Sequence, residues 1–120
     1  MAKILIVDDD ILITGLMQSL VSMDGHTAVI VNNSPEAMQA AKSANPDLIT
    51  LDLMMPNLNG FEVCALLRAD PQFAQTPIII VSAKEDTQSK EMAFSAGATE
   101  YINKPFNIDH FLNTIKKLTS

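Results

Sequence analysis

The sequence is poor in cysteine, glycine and positive charge, and it contains no tryptophan. Each shortage excludes something. A lone cysteine, Cys64, cannot close an internal disulfide, so a reducing setting such as the cytoplasm is expected and Cys64 reads as a small core residue. Eight Lys and Arg stand against fourteen Asp and Glu, and the formal charge of −6 opposes attraction to a phosphate backbone. With no basic run longer than Lys116 and Lys117, direct nucleic-acid binding is not expected. No apolar run approaches the ~20 residues that a membrane span needs, and the short run after Lys3 leads straight into acids. Neither a membrane anchor nor a signal peptide is read. Only 4 Gly and 6 Pro are present, and no linker or low-complexity segment divides the chain.

What is present is a packed composition, 48% hydrophobic and 18% charged over 120 residues, which suits one domain spanning 1–120 with a substantial core. A short apolar run followed by a longer segment of helical spacing recurs along the chain and predicts an α/β fold. The runs Ile4 to Val7, Ala28 to Val31, Leu48 to Leu51 and Ile78 to Val81 are continuous rather than alternating, as parallel strands covered on both faces require. Thr99 to Asn103 is weaker and reads as an edge strand. Leu12, Leu16 and Leu20 form one helical stripe, Val63, Leu66 and Leu67 a second, and Phe111, Ile115 and Leu118 a third. Asp10 is placed to cap the first helix, and Ser34 with Pro35 marks the start of another. Gly25 and Gly97 are placed to end helices, and Gly60 suits a tight turn into the third.

Ligands of an open parallel sheet bind beyond the carboxyl ends of its strands. Asp8 and Asp9 directly follow the first apolar run and Asp52 follows the third, so a sheet that sets these strands side by side gathers three carboxylates. Their repulsion needs a counter-charge. Magnesium supplies it best, since it favours hard oxygen ligands at about 2.0–2.1 Å and keeps several waters. Ser82 closes the fourth run with a hydroxyl, and Lys104 follows the fifth with a mobile cation. Acids, hydroxyl and lysine around one pocket suit phosphoryl transfer, with Asp52 as the nucleophile.

Four segments carry a family resemblance: KILIVDDD at Lys3 to Asp10, LITLDLMMPNLNG at Leu48 to Gly60, PIIIVSAK at Pro77 to Lys84, and GATEYINKPF at Gly97 to Phe106. In this order and spacing the chain resembles a receiver domain of bacterial two-component response regulators over essentially its whole length. The resemblance implies a flavodoxin-like, doubly wound sheet of five parallel strands in order 2-1-3-4-5 with five flanking helices. It also implies that Asp52 accepts a phosphoryl group from a sensor histidine kinase or histidine phosphotransfer protein. Asp9, Asp52 and the Met54 carbonyl would hold Mg2+ directly and Asp8 through water, with Mn2+ able to substitute. Lys104 would pair with the phosphoryl group, oriented by a cis bond to Pro105. Ser82 and Tyr101 match the family's switch pair, which alters the surface of the fourth helix, fifth strand and fifth helix to control a downstream output protein or domain. Taken singly, Ser82 is a strand-end hydroxyl and Tyr101 an edge aromatic; the pairing of their positions favours the switch.

Two positions modulate that picture. Met54 stands two residues after Asp52, where a side chain influences the water that attacks a phosphoaspartate, and a thioether holds water weakly. Slow self-dephosphorylation is therefore expected. Lys84, two residues after Ser82, either shields the phosphoryl oxygens or stays a solvated surface residue. His26 and His110 have no partner at ligand spacing and read as surface residues. Other classes fit less well. A flavodoxin-like cofactor binder wants an anion cradle after the first strand, where this chain has aspartates, and no G-x-G-x-x-G supports a dinucleotide enzyme. A haloacid-dehalogenase-like phosphatase requires a second acid where Met54 stands. A receiver fold used as a phosphorylation-independent interaction module is the strongest competitor.

Overall fold

The computed structural model describes residues 1–120. Five strands, β1 (Lys3–Val7), β2 (Thr27–Val31), β3 (Leu48–Leu51), β4 (Ile78–Ser82) and β5 (Glu100–Asn103), pair in parallel in the order β2-β1-β3-β4-β5. Five α-helices connect and cover them: α1 (Ile11–Met23), α2 (Ala37–Ala44), α3 (Gly60–Ala69), α4 (Thr87–Ser95) and α5 (Ile108–Thr119). Short 3₁₀ turns at Ser34–Glu36 and Pro71–Phe73 lead into α2 and β4. No helix is long and apolar enough to cross a membrane.

The continuous apolar runs make two cores. Side chains of a strand alternate between the sheet faces, so Leu5, Val7, Ile49, Leu51, Ile78 and Ile80 join Val63, Cys64, Leu67 and Ala93 beneath α2, α3 and α4. Ile4, Ile6, Leu48, Ile79 and Val81 join Met17, Val21, Phe111 and Ile115 beneath α1 and α5. Both edge strands, β2 and β5, are only partly buried. Phe106 stacks on Phe111 with ring centroids 4.7 Å apart and anchors the entry to α5.

Two of the expected helix stripes are corrected. Helix α1 buries Thr14, Met17, Leu20 and Val21, whereas Leu12 is 83% and Leu16 44% exposed. Four residues overshoot a helical turn by about 40°, so a row of every fourth leucine drifts off the sheet and only Leu20 reaches it. Thr14 takes a buried place because its hydroxyl donates to the Ile11 carbonyl at 3.2 Å and accepts from Asn32 at 3.1 Å. Likewise α3 buries Val63, Cys64 and Leu67 but leaves Leu66 exposed. Ser34 is also not a cap: Asn33 occupies that position, Pro35 lies in the 3₁₀ turn, and Ser34 is buried within it.

The other boundary readings agree with the structure. The Asp10 carboxylate accepts from the Leu12 and Ile13 N–H groups, and Gly25 and Gly97, at φ 88° and 110°, follow the ends of α1 and α4. Gly60 has a second reason to be glycine: a Cβ there would overlap the backbone of Asp52 and Leu53. At the amino-terminal rim of the sheet, Arg68 donates to the carbonyls of Gly97 at 2.9 Å, Phe73 at 2.7 Å and Thr76 at 2.6 Å, and to the Thr99 hydroxyl at 3.3 Å.

Candidate functional site

At the opposite, carboxyl rim, β1 and β3 are direct neighbours, and the Asp52 N–H donates to the Val7 carbonyl at 3.0 Å. That pairing brings Asp8, Asp9 and Asp52 together, with carboxylate oxygens within 4.8 Å of one another. Asp8 and Asp52 are buried, whereas Asp9 faces solvent. From the end of β5, Lys104 reaches the same pocket: its Nζ lies 2.6 Å from the Asp8 carboxylate and 3.4 Å from that of Asp52. The Lys104–Pro105 peptide bond is cis.

Burial and, after it, the charge of Asp8 raise the Asp52 carboxyl above its ordinary value, against the lowering pull of Lys104 and of the Met54 N–H, which donates to Asp52 at 3.3 Å. For Lys104, burial is the largest single influence and pulls its pKa down. The hydrogen bond to Asp8 and the charges of Asp52 and Asp8 together outweigh it and leave the ammonium above its ordinary value. The pocket thus holds a firmly protonated lysine against closely set acids.

The donor set fits a hard divalent cation. Three carboxylates offer oxygen ligands, and the carbonyl of Met54, two residues after Asp52, accepts no hydrogen bond from the chain. The Met54 side chain is 59% exposed.

Ser82 is fully buried at the end of β4 and accepts from the Lys84 N–H at 3.3 Å. Half-buried Tyr101 donates its hydroxyl to the Lys84 carbonyl at 2.7 Å, and burial raises the phenol's pKa. Both expected switch residues therefore meet on the backbone of Lys84, whose side chain is exposed and forms no ion pair. Lys90 Nζ lies 5.7 Å from the centroid of the Tyr101 ring. Of the two histidines, His110 is exposed, while His26 is half-buried and accepts from the Ala2 N–H at 3.0 Å. Cys64 is buried in the core, and burial raises its thiol pKa.

Sequence reasoning passed over two features of this site. The first is Asn32, one residue after β2, whose Nδ2 donates to the Asp8 carbonyl at 2.8 Å; the strand-end rule that found the acids covers it equally. The second is apolar. Ile11 and Leu12 stand exposed directly after the acids, and exposed Leu16 and Ile108 line a cavity of about 170 Å³ with Lys104 and Pro105. The misassigned α1 stripe hid this collar.

Comparison with known proteins agrees with this geometry. The family model described as the response regulator receiver domain matches residues 4–116. Response regulator ArlR of Staphylococcus haemolyticus is 39% identical over 116 residues, covering 97% of this chain and 52% of the relative. The DNA-binding response regulator MtrA of Mycobacterium tuberculosis is 36% identical over 104 residues, covering 87% of this chain and 44% of the relative. The chain thus spans about half the length of these curated relatives. The structure of Vibrio cholerae chemotaxis protein CheY4 superposes with a TM-score of 0.93 at 31% identity, covering 98% of each chain. The family match runs from the first strand into the last helix and includes every strand end that lines the pocket, so this chain belongs to the response regulator receiver domain family.

Proposed function

We propose that Asp52 is a phosphoacceptor and that its phosphorylation switches the surface of α4, β5 and α5 to control a downstream protein or domain. The observation that carries this reading is the pocket itself: a buried acid at a strand end, flanked by two further acids and contacted by a lysine from β5. The donor is a sensor histidine kinase or a histidine phosphotransfer protein. The exposed apolar side chains beside the pocket suit a helical partner that presents its phosphohistidine to Asp52.

Asp9, Asp52 and the Met54 carbonyl would hold Mg2+, or Mn2+ in its place, with Asp8 joined through water. When bound, the ion supplies positive charge where the transferring phosphoryl group accumulates negative charge. A carboxylate oxygen of Asp52 forms the new P–O bond as the P–N bond of the donor breaks, and the electron pair leaves with the imidazole. Lys104 then pairs with the phosphoryl oxygens, and the Ser82 hydroxyl turns to donate to them. Tyr101 follows through the shared Lys84 backbone, a shift between two packed states. The domain assists its own phosphorylation and dephosphorylation and turns over no external substrate. The DNA-binding function in the name of MtrA is that of the longer relative, and this domain is not assigned it.

Intact-mass analysis of wild type and Asp52→Asn after incubation with acetyl phosphate, with and without Mg2+, tests the reading. One phosphoryl adduct is expected, dependent on both Mg2+ and Asp52. If no adduct forms on folded protein, phosphotransfer from a kinase decides the matter: failure there as well would leave a phosphorylation-independent interaction module.

A further inference from the structure

The connection between β2 and α2 adds no residue to the carboxylate cluster, yet it is tied to both walls of the pocket. Asn32 Nδ2 donates to the Asp8 carbonyl at 2.8 Å, and the Val31 carbonyl accepts from the Asp8 N–H at 3.1 Å. The Asp8 carbonyl lies in the peptide plane that joins Asp8 to Asp9, so Asn32 fixes the direction in which Asp9 leaves β1. Two residues on, the buried Ser34 hydroxyl donates to the Pro56 carbonyl at 2.9 Å and accepts from the Leu58 N–H at 3.2 Å. These groups flank Asn57, whose φ of 73° is in the left-handed region that non-glycine residues seldom occupy. Ser34 therefore pins a turn in the β3–α3 loop, the loop that carries Met54.

We propose that Asn32 and Ser34 are positioning residues: the β2–α2 connection is a strap that sets the spacing between Asp9 and the Met54 carbonyl, and with it the size of cation the pocket prefers. The inference rests on the cation site proposed above. Magnesium demands a near-octahedral shell at about 2.0–2.1 Å, whereas calcium accepts six to eight oxygens at about 2.3–2.6 Å in flexible geometry. Walls tied to one short strap favour the smaller ion. Releasing either tie lets the walls part, which weakens magnesium binding and leaves calcium little affected. Both residues act through the backbone they hold, as outer partners of metal ligands do.

The test is titration of 15N-labelled wild type, Ser34→Ala and Asn32→Ala with Mg2+ and with Ca2+, read from backbone amide shifts around Asp52 and well below the melting temperature. Thr114→Val is the control, since that hydroxyl donates only to the His110 carbonyl within α5. In each strap variant Mg2+ affinity should fall about tenfold and Ca2+ affinity by less than about threefold. Thr114→Val should keep the wild-type preference. A merely structural role predicts lower stability with the preference unchanged; strap variants that lose both affinities alike, or neither, overturn the inference and leave the cation site standing. If Ser34→Ala does not fold, Asn32→Ala carries the same decision, because its exposed side chain leaves no core cavity. Wild type that binds neither ion would overturn the cation site, and the strap with it.

Discussion

The Tyr101 hydroxyl and the Ser82 hydroxyl meet on one residue: Lys84 accepts from Tyr101 through its carbonyl at 2.7 Å and donates to Ser82 through its N–H at 3.3 Å. The ring on the sheet edge and the buried hydroxyl at the end of β4 are thereby joined through a single stretch of backbone. Tyr101→Phe removes one bond and keeps the ring. The variant should lose about 0.5–1.5 kcal/mol of stability, exchange the amide hydrogens of residues 83–86 faster, and phosphorylate to the same extent as wild type. Unchanged exchange in that loop would show that the bond does not restrain it.

Charge in the pocket predicts a pH dependence of stability. Burial, then Asp8, raises the folded-state pKa of Asp52 above its ordinary value of 3.8. The folded state therefore holds the proton more tightly than the unfolded chain does. Stability contributed by this group falls as pH rises from 3.8 to the raised value, and above that window the ionised carboxylate is a net cost. Asp52→Asn should accordingly melt higher than wild type at pH 7.5 in EDTA, with the gap closing towards pH 3.5. Saturating Mg2+ should raise the melting temperature of wild type more than that of the variant. A gap that widens on acidification would contradict the sign.

Met54 stands exposed two residues after Asp52, the proposed phosphoacceptor, with a side chain that holds water weakly. Met54→Asn introduces an amide that both donates and accepts. Loss of phosphate from Asp52, followed by intact mass after removal of the donor, should be faster in the variant. Equal lifetimes would remove Met54 as a determinant of how long the phosphoryl group lasts.

Arg68 ties α3 to the segments that precede β4 and β5 with a planar fork of donors. A lysine cannot reach three separate carbonyls and a hydroxyl. Arg68→Lys should lose about 2–3 kcal/mol in urea unfolding while retaining Mg2+-dependent phosphorylation, because the fork lies at the rim away from the acids.

The sheet was legible because each of the first four strands is dominated by apolar residues, and Leu48–Leu51 needed no adjustment at either end. Residues that close a strand or follow it directly are placed by the sheet itself, and for that reason the positions of Asp8, Asp52, Ser82 and Lys104 at the carboxyl rim were legible. Helix faces were less legible. In α1 two of the three leucines that looked like core, Leu12 and Leu16, are exposed, and a threonine took a buried place once Asn32 satisfied its hydroxyl. No local pattern reveals a bond between residues 18 positions apart. Ser34 misled in the same way, since serine before proline has the look of a cap, while its partners Pro56 and Leu58 lie on another loop.

The Lys104–Asp8 ion pair leaves an electrostatic deficit. Three carboxylates face one ammonium, so the pocket carries two negative charges in excess. A phosphoryl donor, itself anionic, is repelled by that surplus, and one divalent cation cancels it. If Asp52 accepts a phosphoryl group as proposed, charge balance sets an order of events: the domain without a divalent cation is guarded against phosphorylation by its own acids, and readiness to receive the signal becomes a property of the metal supply.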